Sequence, residues 1–234
     1  MLKEIEKIRS FLLDYVSKNN LKGYCLGISG GVDSSVLFKI LEPLDIDVTA
    51  VIMPINSIMQ DENHARLLTE NTKKNVIKVD LTDVYNQMIQ VLPKSDNKMS
   101  YANIKPRLRM TTLYQIAQSN QLLVAGASNK AEYMLGYFTK YGDSGVDVLP
   151  LVEFKKSEIY EMAKVLGVPS EIIDKPPSAG LYEGQSDEKE MGILYKDIDD
   201  YLDGKLEDKT INSKIEKMYN ITNHKRQLPI IYKR

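Results

Sequence analysis

Cysteine and tryptophan are nearly missing from this 234-residue chain, which has one cysteine, Cys25, and no tryptophan. A single thiol excludes a disulfide within the chain and any zinc or iron–sulfur site built from several cysteines. No apolar run approaches the ~20 residues that a membrane-spanning helix needs. Residues 1–6 are charged and helix-like, unlike a signal peptide. We therefore expect a cytoplasmic protein without a membrane partner.

An excess of charge of either sign is also lacking, because 31 Lys and Arg residues balance 32 Asp and Glu residues. A near-neutral chain is not expected to bind nucleic acid through broad electrostatic attraction. Hydrophobic residues make up 43% of the sequence, which is enough to build a sizeable core. The length suits one domain, so residues 1–234 are assigned to a single domain.

Short apolar runs alternate with helical patterns over the first half of the chain. The apolar runs predict four strands, at residues 24–29, 48–53, 76–79 and 122–127. Helical spacing predicts helices at residues 2–18, 33–41, 61–73, 83–92 and 106–119, and later at 157–166, 193–202 and 212–219. This alternation predicts an α/β fold: a doubly wound, mainly parallel sheet with helices on both faces, plus C-terminal helices. No strand is predicted after residue 127, and residues 176–183 are interpreted as a long loop that covers a site.

The most informative segment is the loop after the first predicted strand, where residues 29–35 read Ser-Gly-Gly-Val-Asp-Ser-Ser. Glycines let the backbone turn tightly and direct successive N–H groups to one point. The following helix N-terminus adds partial positive charge, so the loop suits phosphate oxygens. It is not a Walker loop, because the Gly-Lys-Ser/Thr ending is missing.

Asp33 stands where a Walker loop carries its lysine. A carboxylate beside a polyphosphate is repelled unless a cation lies between them, which favours bound Mg²⁺. Alternatively, Asp33 only caps or charges the start of the helix. The flanking glycines and serines favour the metal hypothesis.

The loop at residues 29–35 resembles the signature loop of the N-type ATP pyrophosphatases. Further segments resemble the NAD synthetases within that superfamily, and they occur in order along nearly the whole chain. They are Asn-Ile-Lys-Pro-Arg-Leu-Arg-Met at 103–110, Asn-Lys-Ala-Glu at 129–132, Gly-Tyr-Phe-Thr-Lys-Tyr-Gly-Asp at 136–143, Asp-Lys-Pro-Pro-Ser-Ala-Gly-Leu at 174–181, Gln-Ser-Asp-Glu at 185–188, and Thr222 with His224, Lys225 and Arg226.

The resemblance implies an adenine nucleotide alpha hydrolase-like fold and an ATP- and Mg²⁺-dependent ligase. ATP would adenylate the nicotinate carboxylate of deamido-NAD⁺, and ammonia would then replace AMP to give NAD⁺. The implied ATP-binding residues are Gly27, Ile28, Ser29, Gly30, Gly31, Val32, Asp33, Ser34, Ser35, Lys156 and Ser178. The implied magnesium ligands are Asp33 and Glu132. The implied deamido-NAD⁺ residues are Arg107, Lys140, Asp147, His224 and Lys225, and catalytic roles are implied for Asp33, Lys140 and Lys156. The resemblance also implies a homodimer with substrate near the subunit boundary.

Two departures from the family pattern stand out. Ala127 replaces the usual threonine, so one hydroxyl contact to the nucleotide is lost or is supplied by Ser128. Pro106 replaces alanine, and proline suits the first position of a helix. Without the resemblance, Glu132 reads as an ordinary first-turn acid, and the loop lysines and arginines read as solvated surface charges.

Two other functions are compatible with the glycine loop alone. A tRNA-thiolating enzyme with the same loop usually needs paired cysteines and a basic surface, which this chain lacks. A nucleotide-binding sensor would be expected to lose Asp33, Glu132 or Lys156, and all three are present. Glutamine-using relatives carry an extra amidase domain for which the chain has no room, so free ammonia is the expected nitrogen source.

Overall fold

The computed structural model describes residues 1–178, 180 and 184–233. Its centre is a parallel sheet of four strands, β1 Gly23–Gly27, β2 Asp47–Ile52, β3 Asn75–Lys78 and β4 Leu122–Val124. The strand order is β3-β2-β1-β4. The predicted doubly wound sheet is therefore confirmed. Within the described residues no strand follows β4, as predicted, although Val148 adds an isolated parallel bridge to Ala125.

Helices cover both faces of this sheet because successive strand residues point to opposite sides. On β1, Tyr24 and Leu26 belong to one hydrophobic core, and Cys25 belongs to the other. The first core packs against α1 Leu2–Lys18, α2 Val32–Leu41, α3 Met59–Thr69 and α8 Lys156–Val165. The second packs against α4 Thr82–Val91 and α6 Ile104–Asn120.

A third hydrophobic core joins the C-terminal helices to the helix that follows β4. It is built from Leu135, Met191, Ile198 and Ile215, all of which are buried. The helices of this part of the chain are α7 Lys130–Leu135, α9 Ser170–Ile173, α10 Asp187–Met191, α11 Tyr195–Leu202 and α12 Lys209–Ile221, followed by a 3-10 turn at Asn223–Lys225. This packing brings residues near 187 and 195 to the start of α7, a contact that no sequence pattern predicted.

Several predicted boundaries shift. An additional helix, α5 Lys98–Ala102, precedes α6, and α6 begins at Ile104. Pro106 is thus the third helical residue rather than the first. The first turn still tolerates it, because N–H groups there lack intrahelical acceptors. The predicted loop at 176–183 falls partly outside the described residues, since 179 and 181–183 are not described. Within the described part of the chain, no helix is long and apolar enough to cross a membrane.

Candidate active site

The loops after β1 and β4 open into one cavity of about 300 Å³. The two strands are neighbours, and the strand order reverses between them, because β2 and β3 lie on the other side of β1. Ligands of doubly wound proteins bind at this switch point, beyond the carboxyl ends of the strands. The cavity lining includes most of the predicted nucleotide residues, namely Gly27, Ile28, Ser29, Gly31, Val32, Asp33, Ser34, Lys156 and Ser178.

The glycine loop is held in its shape by its own hydroxyl groups. Ser29 Oγ accepts the Gly31 N–H at 3.2 Å and lies 3.0 Å from Ser34 Oγ. The hydroxyls of Ser34 and Ser35 reach the Gly31 carbonyl at 3.0 and 2.8 Å. Ser35 is fully buried, so its side chain supports the loop from behind. The loop is therefore preorganised rather than formed around a ligand.

Gly30 takes a positive φ of 78°. A side chain there would be strained, and a Cβ atom would lie 2.3 Å from the carbonyl oxygen of Asp61. The loop therefore packs directly on the start of α3. This close approach explains why glycine is required at position 30.

A buried cluster of charges lies beside the glycine loop, where Lys156, Asp33 and Glu132 meet. Lys156 is only 3% exposed. Its Nζ donates to Asp33 Oδ2 at 2.6 Å and lies 3.5 Å from Glu132 Oε1. Asn129, fully buried, donates from Nδ2 to Asp33 Oδ1 at 2.9 Å. The structure thus brings together the two predicted metal ligands and a predicted catalytic lysine from three separate elements.

The start of α7 positions Glu132. Asn129 caps the helix by accepting the Glu132 N–H at 3.1 Å, and Glu132 Oε2 accepts the Asn129 N–H at 3.3 Å. This reciprocal capping box fixes both side chains. Glu132 is therefore an acidic residue in the first turn of α7, which agrees with the interpretation of Glu132 as an ordinary helix-start acid. Its carboxylate also belongs to the charge cluster. Asn129 was missed as a site residue, although its motif was recognised.

Two tyrosines and two further acids lie behind the cluster. The Tyr195 hydroxyl donates to Asp187 Oδ2 at 3.3 Å and lies 3.4 Å from Glu132 Oε1. The Tyr137 hydroxyl contacts Asp187 Oδ1 at 3.1 Å and Glu190 Oε2 at 2.7 Å. Burial and the neighbouring carboxylates raise the pKa of both phenols, so the hydroxyls remain donors. Asp187 and Glu190 come from α10 and Tyr195 from α11, and none of these three was predicted as part of the site. Tyr137 follows α7, and the sequence left open whether its ring belongs to the core or stacks on a substrate ring.

The three clustered charges influence each other strongly. Burial lowers the pKa of Lys156, but the negative charges of Asp33 and Glu132 outweigh it, and the net pKa is raised. Burial and the nearby Asp33 raise the pKa of Glu132 to about 8, although Lys156 opposes the shift. Lys156 is therefore charged, and Glu132 holds its proton well above the usual range for a carboxyl group.

The pKa of Glu132 predicts how stability depends on pH. Its folded pKa of about 8 exceeds the ordinary value of 4.5, so the folded protein binds more protons than the unfolded chain between these values. The contribution of Glu132 to the free energy of unfolding should fall as the pH rises through this window. We expect Glu132→Gln to make the melting temperature less dependent on pH between about 5 and 8. Thermal melts of both proteins at several pH values test this, and parallel curves would contradict it.

None of the residues predicted to bind the second substrate lines the cavity, and the basic ones among them form a separate group. Lys140 Nζ donates to the carbonyl of His224, and Arg107 donates to the carbonyl of Lys140 at 3.3 Å. Lys225 Nζ donates to two carbonyls near the end of α7 at 2.8 Å. Asp147 lies apart: it accepts from the Tyr114 hydroxyl at 3.0 Å and from the Val124 N–H at 2.7 Å. Their roles in binding remain predictions.

Other cavity residues were missed or interpreted differently. Arg109, on α6, is a partly buried lining residue and donates from Nε to the Met53 carbonyl at 3.0 Å. Ala127 and Ser128 both line the cavity, so a hydroxyl remains available beside the position where the usual threonine is missing. Asp61 and Lys175 also line it. No periodicity marks these residues, because they meet only through the tertiary fold.

Comparisons with known proteins agree with this geometry. The family described as NAD synthase matches residues 4–229. The NH(3)-dependent NAD(+) synthetase of Finegoldia magna is 46% identical over 225 residues, covering 95% of this chain and 92% of that protein. The NMN synthetase of Francisella tularensis superposes with a TM-score of 0.93 at 36% identity, covering 98% of this chain and 97% of that one. The NH3-dependent NAD synthetase of Campylobacter jejuni superposes with a TM-score of 0.84 at 25% identity, with 99% of each chain covered.

These similarities extend over nearly the full length of the chain and of each relative. They confirm the predicted adenine nucleotide alpha hydrolase-like fold, which the NAD synthetases share. On the strength of the matching residues, the strand order and the charge cluster at the switch point, the chain belongs to the NAD synthase family.

Proposed function

We propose that this protein is an ammonia-dependent NAD synthetase that consumes ATP and deamido-NAD⁺. The observation that carries the proposal is the Asp33–Lys156–Glu132 cluster, which lies beside a preorganised glycine loop in the same cavity. A glycine loop that leads into a helix N-terminus suits phosphate oxygens. A buried, charged lysine next to it supplies fixed positive charge where negative charge must be stabilised.

The proposed reaction has two balanced steps. First, a nicotinate carboxylate oxygen bonds to the α-phosphorus of ATP while the bond from that phosphorus to pyrophosphate breaks. Then ammonia bonds to the carbonyl carbon, the bond to AMP breaks, and a proton is released. In this scheme the N–H groups of the glycine loop orient the phosphates, and Lys156 offsets their charge. No protein nucleophile is required.

Magnesium is part of the proposal, with Asp33 and Glu132 as its ligands. The fit is supported by the present occupant of the space between them: the ammonium of Lys156 lies 2.6 Å from one carboxylate and 3.5 Å from the other. Two carboxylates, completed by water and phosphate oxygens, are the donor set that Mg²⁺ prefers. When bound, the ion supplies charge neutralisation for the departing pyrophosphate.

The basic residues that gather around the 3-10 turn at Asn223–Lys225 are proposed to bind the dinucleotide. Lys140 contacts the His224 backbone and Arg107 contacts the Lys140 backbone, so their positive charges gather in one region. Such a group suits the phosphates of deamido-NAD⁺. A homodimer with substrate near the boundary completes the proposal. Large exposed side chains that such a contact would bury occur at Leu228, Ile230, Ile231 and Tyr232.

A second candidate function is the amidation of nicotinate mononucleotide. The Francisella tularensis NMN synthetase superposes with a TM-score of 0.93, above the 0.84 of the Campylobacter jejuni NAD synthetase, and it is also more similar in sequence. Both reactions convert the same carboxylate to an amide. They differ only in whether an adenylate half is attached to the substrate, so the charge cluster serves either one.

A steady-state assay separates these functions. Purified protein is given ATP and Mg²⁺, with deamido-NAD⁺ or nicotinate mononucleotide as the acid and ammonium or glutamine as the nitrogen source. We expect one pyrophosphate, one AMP and one NAD⁺ per turnover with deamido-NAD⁺ and ammonium. A higher kcat/KM for the mononucleotide would favour the second candidate. Pyrophosphate release that depends on neither acid would overturn both.

A further inference from the structure

Asp61 lies at the rim of the cavity, between the glycine loop and residues 174–178. It is the third residue of α3, a position where a carboxylate is favoured by the helix dipole. Its backbone contacts the glycine loop, because a Cβ on Gly30 would lie 2.3 Å from the Asp61 carbonyl oxygen. Its carboxylate forms an ion pair with Lys175 Nζ. Asp61 therefore connects the two segments on either side of it.

The ion pair is partly shielded from water, since each side chain is 16% exposed. The neighbouring first-turn acid, Glu62, has other partners: it accepts from Lys78 and Arg66 at 2.7 Å each. Arg109 is a second cation whose charge interacts with Asp61, but its Nε is directed to the Met53 carbonyl. Lys175 thus supplies the direct contact, in a setting where an ion pair is stronger than on an open surface.

Residues 174–178 are held on their other side as well. The Pro177 carbonyl accepts the Asp187 N–H at 3.2 Å, which ties the segment to the start of α10. Pro176 and Pro177 restrict the backbone between Lys175 and Ser178. A change in the position of Lys175 should therefore be transmitted to Ser178, which lines the cavity together with the glycine loop.

We propose that the Asp61–Lys175 ion pair is a latch that fixes residues 174–178 over the glycine loop and so places Ser178 at the ATP phosphates. Asp61 and Lys175 are positioning residues for the nucleotide. This inference rests on the proposed function, because it takes the cavity to be the ATP site. An alternative role, in which Lys175 binds phosphate directly, predicts different effects for the two residues.

A double-mutant cycle tests the latch with the full-length protein. Asp61→Asn and Lys175→Met should each raise the KM for ATP by about tenfold, because either change releases the same segment. The double variant should show about the same tenfold effect rather than the roughly hundredfold effect of independent sites. The reversed pair, Asp61→Lys with Lys175→Asp, should recover most of the affinity, and Lys175→Arg should stay near wild type. The KM for the nicotinate substrate should not change.

Matched controls come from α1, where Lys18 and Asp14 form an exposed ion pair at 2.6 Å. Asp14→Asn and Lys18→Met should leave the KM for ATP unchanged. Additive effects in the Asp61/Lys175 cycle would overturn the latch. A large loss in Lys175→Met with none in Asp61→Asn would also overturn it, in favour of direct phosphate binding. Equilibrium dialysis measures the Kd for ATP of the same variants in the absence of the acid substrate. It repeats the double-mutant cycle without relying on turnover. If wild type binds ATP but forms no amide, the proposed function fails while the latch remains testable.

Discussion

Asp33→Asn should reduce turnover by on the order of a thousandfold, the loss expected when a group that stabilises transition-state charge is removed. Asp33 accepts hydrogen bonds from Lys156 at 2.6 Å and from Asn129 at 2.9 Å. An asparagine keeps the size of the side chain but loses its charge. Half of the proposed magnesium-binding pair is lost with it.

Asp33→Asn should lower the stability of the fold much less than it lowers activity. When the charge of Asp33 is removed, Glu132 no longer experiences its repulsion and can become the counter-ion of Lys156, which lies 3.5 Å away. One buried cation and one buried anion remain, so we expect a loss of about 1 kcal/mol in the free energy of unfolding. Chemical denaturation and steady-state kinetics on the same preparation check both effects.

The control for this variant is Asp83→Asn, which changes an exposed acid in the first turn of α4. It removes the same charge from an equivalent helix position, but Asp83 does not belong to the charge cluster. Turnover should therefore stay near wild type. A drop in activity of Asp33→Asn that merely follows the unfolded fraction would show that Asp33 only caps α2. That outcome would restore the interpretation of Asp33 as a helix-start residue.

Lys156→Met should affect both stability and activity, because it leaves Asp33 and Glu132 together without their cation. Removing one partner of a buried ion pair is expected to cost about 3 kcal/mol at pH 8. At pH 6 the loss should be smaller, since Glu132, whose pKa is already raised to about 8, can then take up a proton. Turnover should fall on the order of a thousandfold at either pH.

Added Mg²⁺ provides a second measurement on Lys156→Met. With the ammonium gone, the two carboxylates have only a metal ion to neutralise them, so Mg²⁺ should raise the melting temperature of this variant more than that of wild type. Lys164→Met, on the exposed face of the same helix, is the matched control and should respond as wild type does. Equal metal responses in all three proteins would refute the proposed metal position.

Much of the fold could be predicted from local patterns. The strands at 23–27 and 47–52 are apolar and short, and the helices between them have regular spacing, so the β-α-β order was readable. The bridge at Val148 could not be predicted from the sequence, because it involves a single residue that belongs to none of the predicted strands or helices. Likewise, the sequences of α10 and α11 did not predict that these helices pack against α7, since hydrophobic cores are assembled from distant segments.

The candidate site was predicted unevenly for the same reason. Glycines and Asp33 form a local motif with a local physical meaning, whereas Lys156 and Glu132 were assigned through family resemblance alone. Asn129, Asp187 and Tyr195 were missed because their importance depends on contacts made across the fold. Asn129 meets Asp33 over a separation of 96 residues. No local pattern in a single sequence reports such a contact.

The separation between Asp33 and Lys156 has a consequence for biosynthesis. The two residues are 123 positions apart, and the ribosome adds roughly 5–20 residues per second. The glycine loop therefore emerges several seconds before the lysine that neutralises its neighbouring carboxylate. During that interval the nascent chain lacks α8, and it lacks β4 until residue 124 has been added, so the chain cannot assemble its nucleotide pocket until most of translation is complete.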